Sequence, residues 1–122
     1  MTMNTVSTFT ATIYVGFRHR PTGEVIDRAA VIEAIQKYVD AVGLCVTVTD
    51  TQYVYTNGGE PGIAVGLINY PRFPSTPEQI RAHALALAGM LLEKCRQFKV
   101  SVVMPNQTVM IGEPEAECGA CP

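Results

Sequence analysis

Apolar and polar positions follow different periods in successive stretches of the chain, and each change of period predicts a change of element. Residues 8–17 are rich in Thr, Ile, Tyr and Val, side chains that favour extended backbone, and predict a strand. Gly23 marks a turn, and Asp27 is placed to cap a helix. Beyond it Ile32, Ile35, Val39 and Val42 return every three or four residues, and Gly43 supplies the left-handed residue that stops a helix; the spacing predicts a helix over 28–42. From residue 44 to 49 the period falls to two, with Leu44, Val46 and Val48 set against Cys45, Thr47 and Thr49. The phase then shifts toward Tyr53, Val54 and Tyr55, which predicts a bulge or bend near Asp50. Residues 57–62 read as a turn because of their glycines and Pro61. Residues 63–70 are apolar on both parities, as in a central strand covered on both faces, and Pro71 and Pro74 end them.

The second helix has the clearest start. Thr76 suits the N-cap, Pro77 the first helical position and Gln79 the third, which together make a capping box. Ile80, Ala84, Leu87, Leu91 and Phe98 form its expected core stripe, with Ala82, Ala86 and Gly89 as a second, low-relief face suited to close packing. Residues 99–104 alternate again, Pro105, Asn106 and Gln107 turn the chain, and residues 108–111 return as a short strand. The order strand, helix, strand, strand, helix, strand, plus one strand, resembles the ferredoxin-like split β-α-β unit. That resemblance implies an α+β fold: a mainly antiparallel sheet with both helices on one face and an extra C-terminal strand. A single domain is expected over 1–112, followed by an acidic segment over 113–122.

Composition narrows the function. Of 122 residues 48% are apolar and only 16% charged, well below the ordinary quarter. So few charges lead us to expect a homo-oligomer, with part of the surface covered by copies of the chain. No apolar run approaches the length of a membrane span, and the first twelve residues lack the basic and apolar regions of a secretory signal, so a cytoplasmic protein is expected. Three of the eleven acidic residues, Glu113, Glu115 and Glu117, crowd the last ten positions, leaving eight against nine basic ones in the body. That near-balance lacks the dense Lys/Arg stripe that duplex nucleic acid requires. Cys45 and Cys95 fall in apolar segments and are expected in the core. Cys118 and Cys121 form a C-x-x-C that supplies two of zinc's four ligands; an incidental segment, an intersubunit metal or disulfide, and redox work stay open.

If the first and third strands lay side by side and parallel, their exits would share one end of the sheet. Arg18, His19 and Arg20 leave the first, Tyr70, Arg72 and Phe73 leave the third, and each loop leads to a helix N-terminus, where Arg28 begins the first helix. Arginine forks with an aromatic ring beside them suit a phosphate or carboxylate on a base-bearing ligand, so these seven residues are the expected site for a small anionic, nucleotide-like ligand. The competing reading is ordinary solvated surface, with the arginines paired to Glu24 and Asp27. Catalysis has little support: His19 has no nucleophile in a recognisable setting, His83 lies beside a core position, and no metal spacing, phosphate loop or dinucleotide fingerprint occurs. No cofactor is expected.

The layout of small β-α-β units also resembles the tautomerase superfamily, whose chemistry depends on an amino-terminal proline. Here Thr2 follows Met1 and the first proline is Pro21, so that activity is not carried over. Ile13, Tyr14, Val15, Gly16 and Phe17, then Thr22, Gly23 and Glu24 with Ile26 and Asp27, and the loop from Tyr70 to Phe73 are similar to compact phage-encoded α+β proteins that sequester nucleotide immune signals, the anti-Thoeris and anti-CBASS sponges. That resemblance implies an oligomer with ligand pockets between subunits and no turnover, hence a non-catalytic sequestering protein. A protein-interaction or inhibitor module, and less favoured an enzyme, are the alternatives.

Overall fold

The computed structural model describes residues 1–19 and 21–112. Its elements are β1 (Thr10–Gly16), α1 (Arg28–Val42), β2 (Thr47–Tyr55), β3 (Gly58–Ile68), α2 (Pro77–Lys94), β4 (Lys99–Val103) and β5 (Thr108–Gly112). The five strands form one sheet in the order β2-β3-β1-β4-β5, with every neighbouring pair antiparallel. This is the expected α+β arrangement with its added fifth strand. Among the described residues no helix is long and apolar enough to cross a membrane.

The helix ends sit where the capping chemistry places them. The Asp27 carboxylate accepts from the Ala29 amide to start α1, and Gly43 ends it at φ 72°. Both bonds of the Thr76–Gln79 capping box are present on α2. α2 closes differently, without glycine. Arg96 takes the left-handed conformation (φ 51°), while its amide bonds to the Glu93 carbonyl and the Gln97 amide to that of Leu92. That pair of bonds is a Schellman closure.

The core lies on one side of the sheet, where Ile13, Val15, Ile63, Val65, Leu67, Val100 and Val102 meet Val31 and Ile35 of α1 and Ile80, Ala84, Leu87, Ala88 and Leu91 of α2. The other side carries no helix. Three expectations change here. β3 is covered by helices on one face only: its other parity holds Gly62, Ala64 and Gly66, residues too small to form a second core. β2 pairs with β3 from Tyr55–Gly58 to Thr47–Gly66 without a bulge, and its phase shift marks where Val48 stops facing α1 and Thr51, Tyr53 and Tyr55 become the half-buried positions on the opposite face. The turn expected over 57–62 shrinks to Thr56 and Asn57, the latter at φ 60°, and the glycines join β3.

Smaller corrections follow from where the helices end and rotate. Val31 rather than Ile32 fills the core under α1, Val42 is exposed, and Phe98 falls beyond the end of α2. Ala82 and Ala86 are exposed, and a Cβ built on Gly89 meets nothing, so the low-relief face is uncovered. Cys45 is exposed at the entrance to β2, whereas Cys95 is fully buried. Cys118, Cys121 and the acidic segment lie outside the described residues.

Burial pushes the Cys95 thiol from its usual 9.0 up to about 12. The fold therefore favours the neutral thiol, and this contribution to stability is whole below pH 9 and is lost as pH rises toward about 12. At about pH 8, where a free thiol is partly thiolate, iodoacetamide is expected to label Cys45 in the native protein and Cys95 only after denaturation, read by peptide mass. Equal labelling of both in the native state would contradict this packing.

Candidate active site

The antiparallel sheet decides which loops meet. α1 carries the chain back across the sheet, so β2 runs parallel to β1, and the Thr56–Asn57 turn reverses β3. β1 and β3 are therefore antiparallel, not parallel as expected, with Gly16 beside Gly62 at one end and Thr10 beside Ile68 at the other. The loop after β1 and the loop after β3 leave from opposite ends, about 20 Å apart at the strand rise of ~3.3 Å per residue. Within one chain Arg18 and His19 do not meet Tyr70, Arg72 and Phe73, and the expected arginine rim does not form. Arg20 lies outside the described residues.

The individual side chains are also committed elsewhere. Arg18 Nη1 donates to the Gly23 carbonyl (3.0 Å) and Nη2 to that of Gly59 (3.2 Å). His19 Nδ1 meets Thr22 Oγ1 at 2.7 Å. Arg28 pairs with Asp50 at 2.6 Å, which answers the unfavourable dipole at the start of α1 from within the chain. Arg72 is exposed in a turn beneath which the rings of Tyr70 and Phe73 pack at 5.4 Å. A hydrogen bond with the Cys45 thiol, helped by partial burial, raises the Tyr70 phenol above 10.0.

What does share the Arg18 end is the β2–β3 hairpin and the connection from α2 to β4. There the sheet holds a charge that the sequence reading passed over. Glu60 is fully buried on the helix-free face. Its Oε1 accepts the Arg18 backbone amide at 3.1 Å and its Oε2 the Tyr55 hydroxyl at 2.8 Å. Opposite it in the ladder stands Tyr53, whose hydroxyl donates to the Ile63 carbonyl at 2.8 Å and whose phenol is pushed above 10.0, chiefly by burial. Gly16 makes the seat: a Cβ there would collide with the Glu60 carboxylate. Burying a carboxylate, even one held by a phenol and an amide, is a poor choice for stability, and that marks Glu60 as a candidate functional residue.

The sequence hid this residue inside an apparent turn, between two glycines and a Pro-Gly pair. The available signal was a lone acid among small residues directly after two closely spaced tyrosines. Among the described residues no cluster of three metal-ligating side chains occurs.

Gly16→Ala is expected to drive a methyl group into this carboxylate and cost about 1–3 kcal/mol, the range for overpacking, in urea unfolding. A stability equal to the parent's would show that the seat is looser than the structure has it.

No protein-family model and no curated protein matches the sequence. Two solved structures share the fold. A phage SAM lyase in complex with S-methyl-5'-thioadenosine is 16% identical, with a TM-score of 0.72 over 96% of this chain and 98% of that one. A phage SAM lyase in the apo state is 19% identical, with a TM-score of 0.69 over 89% of this chain and 92% of that one. The likeness to phage proteins, one of them holding a small nucleoside ligand, agrees with the coarse expectation of a compact phage-type α+β chain. The expectations of a non-catalytic sequestering protein, and of no enzyme, are corrected by it: both structures that share the fold are of an enzyme, a phage SAM lyase.

Proposed function

We propose that the chain is an S-adenosylmethionine lyase that works at the Glu60 end of the sheet. The observation that carries this reading is the fully buried Glu60 carboxylate, held by Tyr55 and the Arg18 amide, in a fold shared along nearly its whole length with phage SAM lyases. S-adenosylmethionine brings two positive groups, a sulfonium and the ammonium of its amino-acid arm, either of which an acidic side chain attracts. Of the arginines expected to grip an anion, Arg18 is engaged by backbone carbonyls and Arg28 by Asp50.

The chemistry decides which cation Glu60 should hold. Release of methylthioadenosine breaks the bond between sulfur and the γ-carbon of the arm, and the bonding pair goes to sulfur, which becomes a neutral thioether. The arm's own carboxylate attacks that carbon from behind and closes a five-membered lactone. No atom is gained or lost, and no base or water is consumed. Because the sulfonium loses its charge along this path, a carboxylate beside it would stabilise the substrate more than the transition state. The ammonium keeps its charge throughout. Glu60 therefore does most for the rate on the ammonium side; since it is fully buried at rest, the side chains over it must move aside for that contact, which would fold the arm so that its carboxylate faces the γ-carbon. The Tyr55 hydroxyl fixes the Glu60 rotamer for that contact.

Copies of the chain complete the picture. Ile68, Val103 and Met110 point from the helix-free face with exposures of 46%, 40% and 61%. We infer that this face packs against further copies, in line with the low charge of the chain. Sedimentation at micromolar concentration is expected to give a mass above 13.2 kDa, and a monomer would contradict it.

Incubation of the protein with S-adenosylmethionine is expected to yield methylthioadenosine, followed by chromatography with mass detection. Glu60→Gln should slow its formation about 100-fold and Tyr55→Phe about 10-fold, the scale on which misplaced reacting groups lose rate. Intact substrate after incubation with the parent protein would refute the activity. Full activity in Glu60→Gln would place it elsewhere.

A further inference from the structure

Gln97 sits just after the Schellman closure of α2 and is buried, with 6% of its surface exposed. Its side-chain amide nitrogen donates to two carbonyls, that of Cys95 at 2.9 Å and that of Arg18 at 2.7 Å. The second bond spans 79 residues and ties the α2–β4 connection to the exit of β1. Arg18 is thus held on both sides: its carbonyl by Gln97, and its amide on Glu60 Oε1 at 3.1 Å.

We infer that Gln97 is a positioning residue for Glu60, acting through the Arg18 backbone; the inference rests on the reading of Glu60 as the working carboxylate. The neighbouring geometry supports a built arrangement rather than incidental packing. A non-glycine residue in the left-handed region is strained by its Cβ. Arg96 takes that conformation, and the turn it makes aims Gln97 inward. One side-chain amide thus serves the carbonyls of both Arg18 and Cys95. The Arg18 guanidinium adds anchors on Gly23 and Gly59, so the backbone amide facing Glu60 is braced from three directions. Preorganised donors of this kind are what hold a working side chain within the narrow tolerance that chemistry demands.

A simpler role, closing the end of α2, needs only the bond to Cys95. Gln97→Asn separates the two, because a side chain shorter by about 1.5 Å keeps the contact two residues back and loses the distant one. In amide NMR of the labelled full chain, Glu60→Gln marks where the Arg18 amide proton moves when the carboxylate is neutralised. Gln97→Asn is expected to move that proton in the same direction, and to lower kcat for S-adenosylmethionine about 10- to 100-fold with KM within twofold. An Arg18 amide unmoved in Gln97→Asn overturns the inference. Should that variant fail to fold, the parent protein decides the matter: slow solvent exchange of the Gln97 side-chain amide protons supports the brace, and exchange at the free rate overturns it. The NMR arms do not depend on turnover. A displaced Arg18 amide in a protein that leaves S-adenosylmethionine intact would refute the proposed lyase and keep the brace, while full turnover with an unmoved amide would do the reverse.

Discussion

The antiparallel pairing of β1 with β3 governs everything that follows from this fold. It places Gly16 against Gly62 and so gathers the β1 exit, the β2–β3 hairpin and the α2–β4 connection at one end of the sheet. Reverse that sense and Arg18 would lie near Arg72, with a cluster of guanidinium groups open to an anion. With the observed sense, the Arg18 guanidinium turns inward to neighbouring carbonyls and its backbone amide meets the Glu60 carboxylate.

The site is built from backbone at least as much as from side chains. Glycine at position 16 leaves the volume that the carboxylate fills, and the amide of Arg18, not its guanidinium, provides a hydrogen bond. Tyr53 and Tyr55 come from the edge strand and lean over the glycines of β3, screening the helix-free face where a second core would otherwise be needed. Small residues on that face thus serve two ends, room for the phenols and a seat for the acid. Burying a carboxylate is costly, and it persists in folds where it is hydrogen-bonded and put to use.

Much of the architecture was legible because it is written in local chemistry. Asp27, Gly43 and the Thr76–Pro77–Gln79 start fix helix ends through bonds between neighbours, and the strands show in their alternation. Relative strand direction is not local. It follows from the helical crossover and the hairpin taken together, and misjudging it sent Arg18 and Arg72 to the same rim. Glu60 was obscured for a related reason: Gly58, Gly59, Pro61 and Gly62 look like a loop, yet all four belong to β3, where glycine makes room for side chains reaching over from β2. Gln97 carries no signature at all, since its value lies in a partner 79 residues away. Cys45 shows the opposite failure, an apolar neighbourhood in sequence that lies at an exposed strand entrance in space.

The proposed lyase activity requires the ligand to sit at the Glu60 end of the sheet. Titration of the labelled protein with methylthioadenosine, followed residue by residue in the amide NMR spectrum, tests it most directly. Perturbations concentrated at Arg18, Tyr53, Tyr55 and Glu60 are expected. Perturbations confined to the Tyr70–Phe73 turn, with the Glu60 end silent, would contradict it.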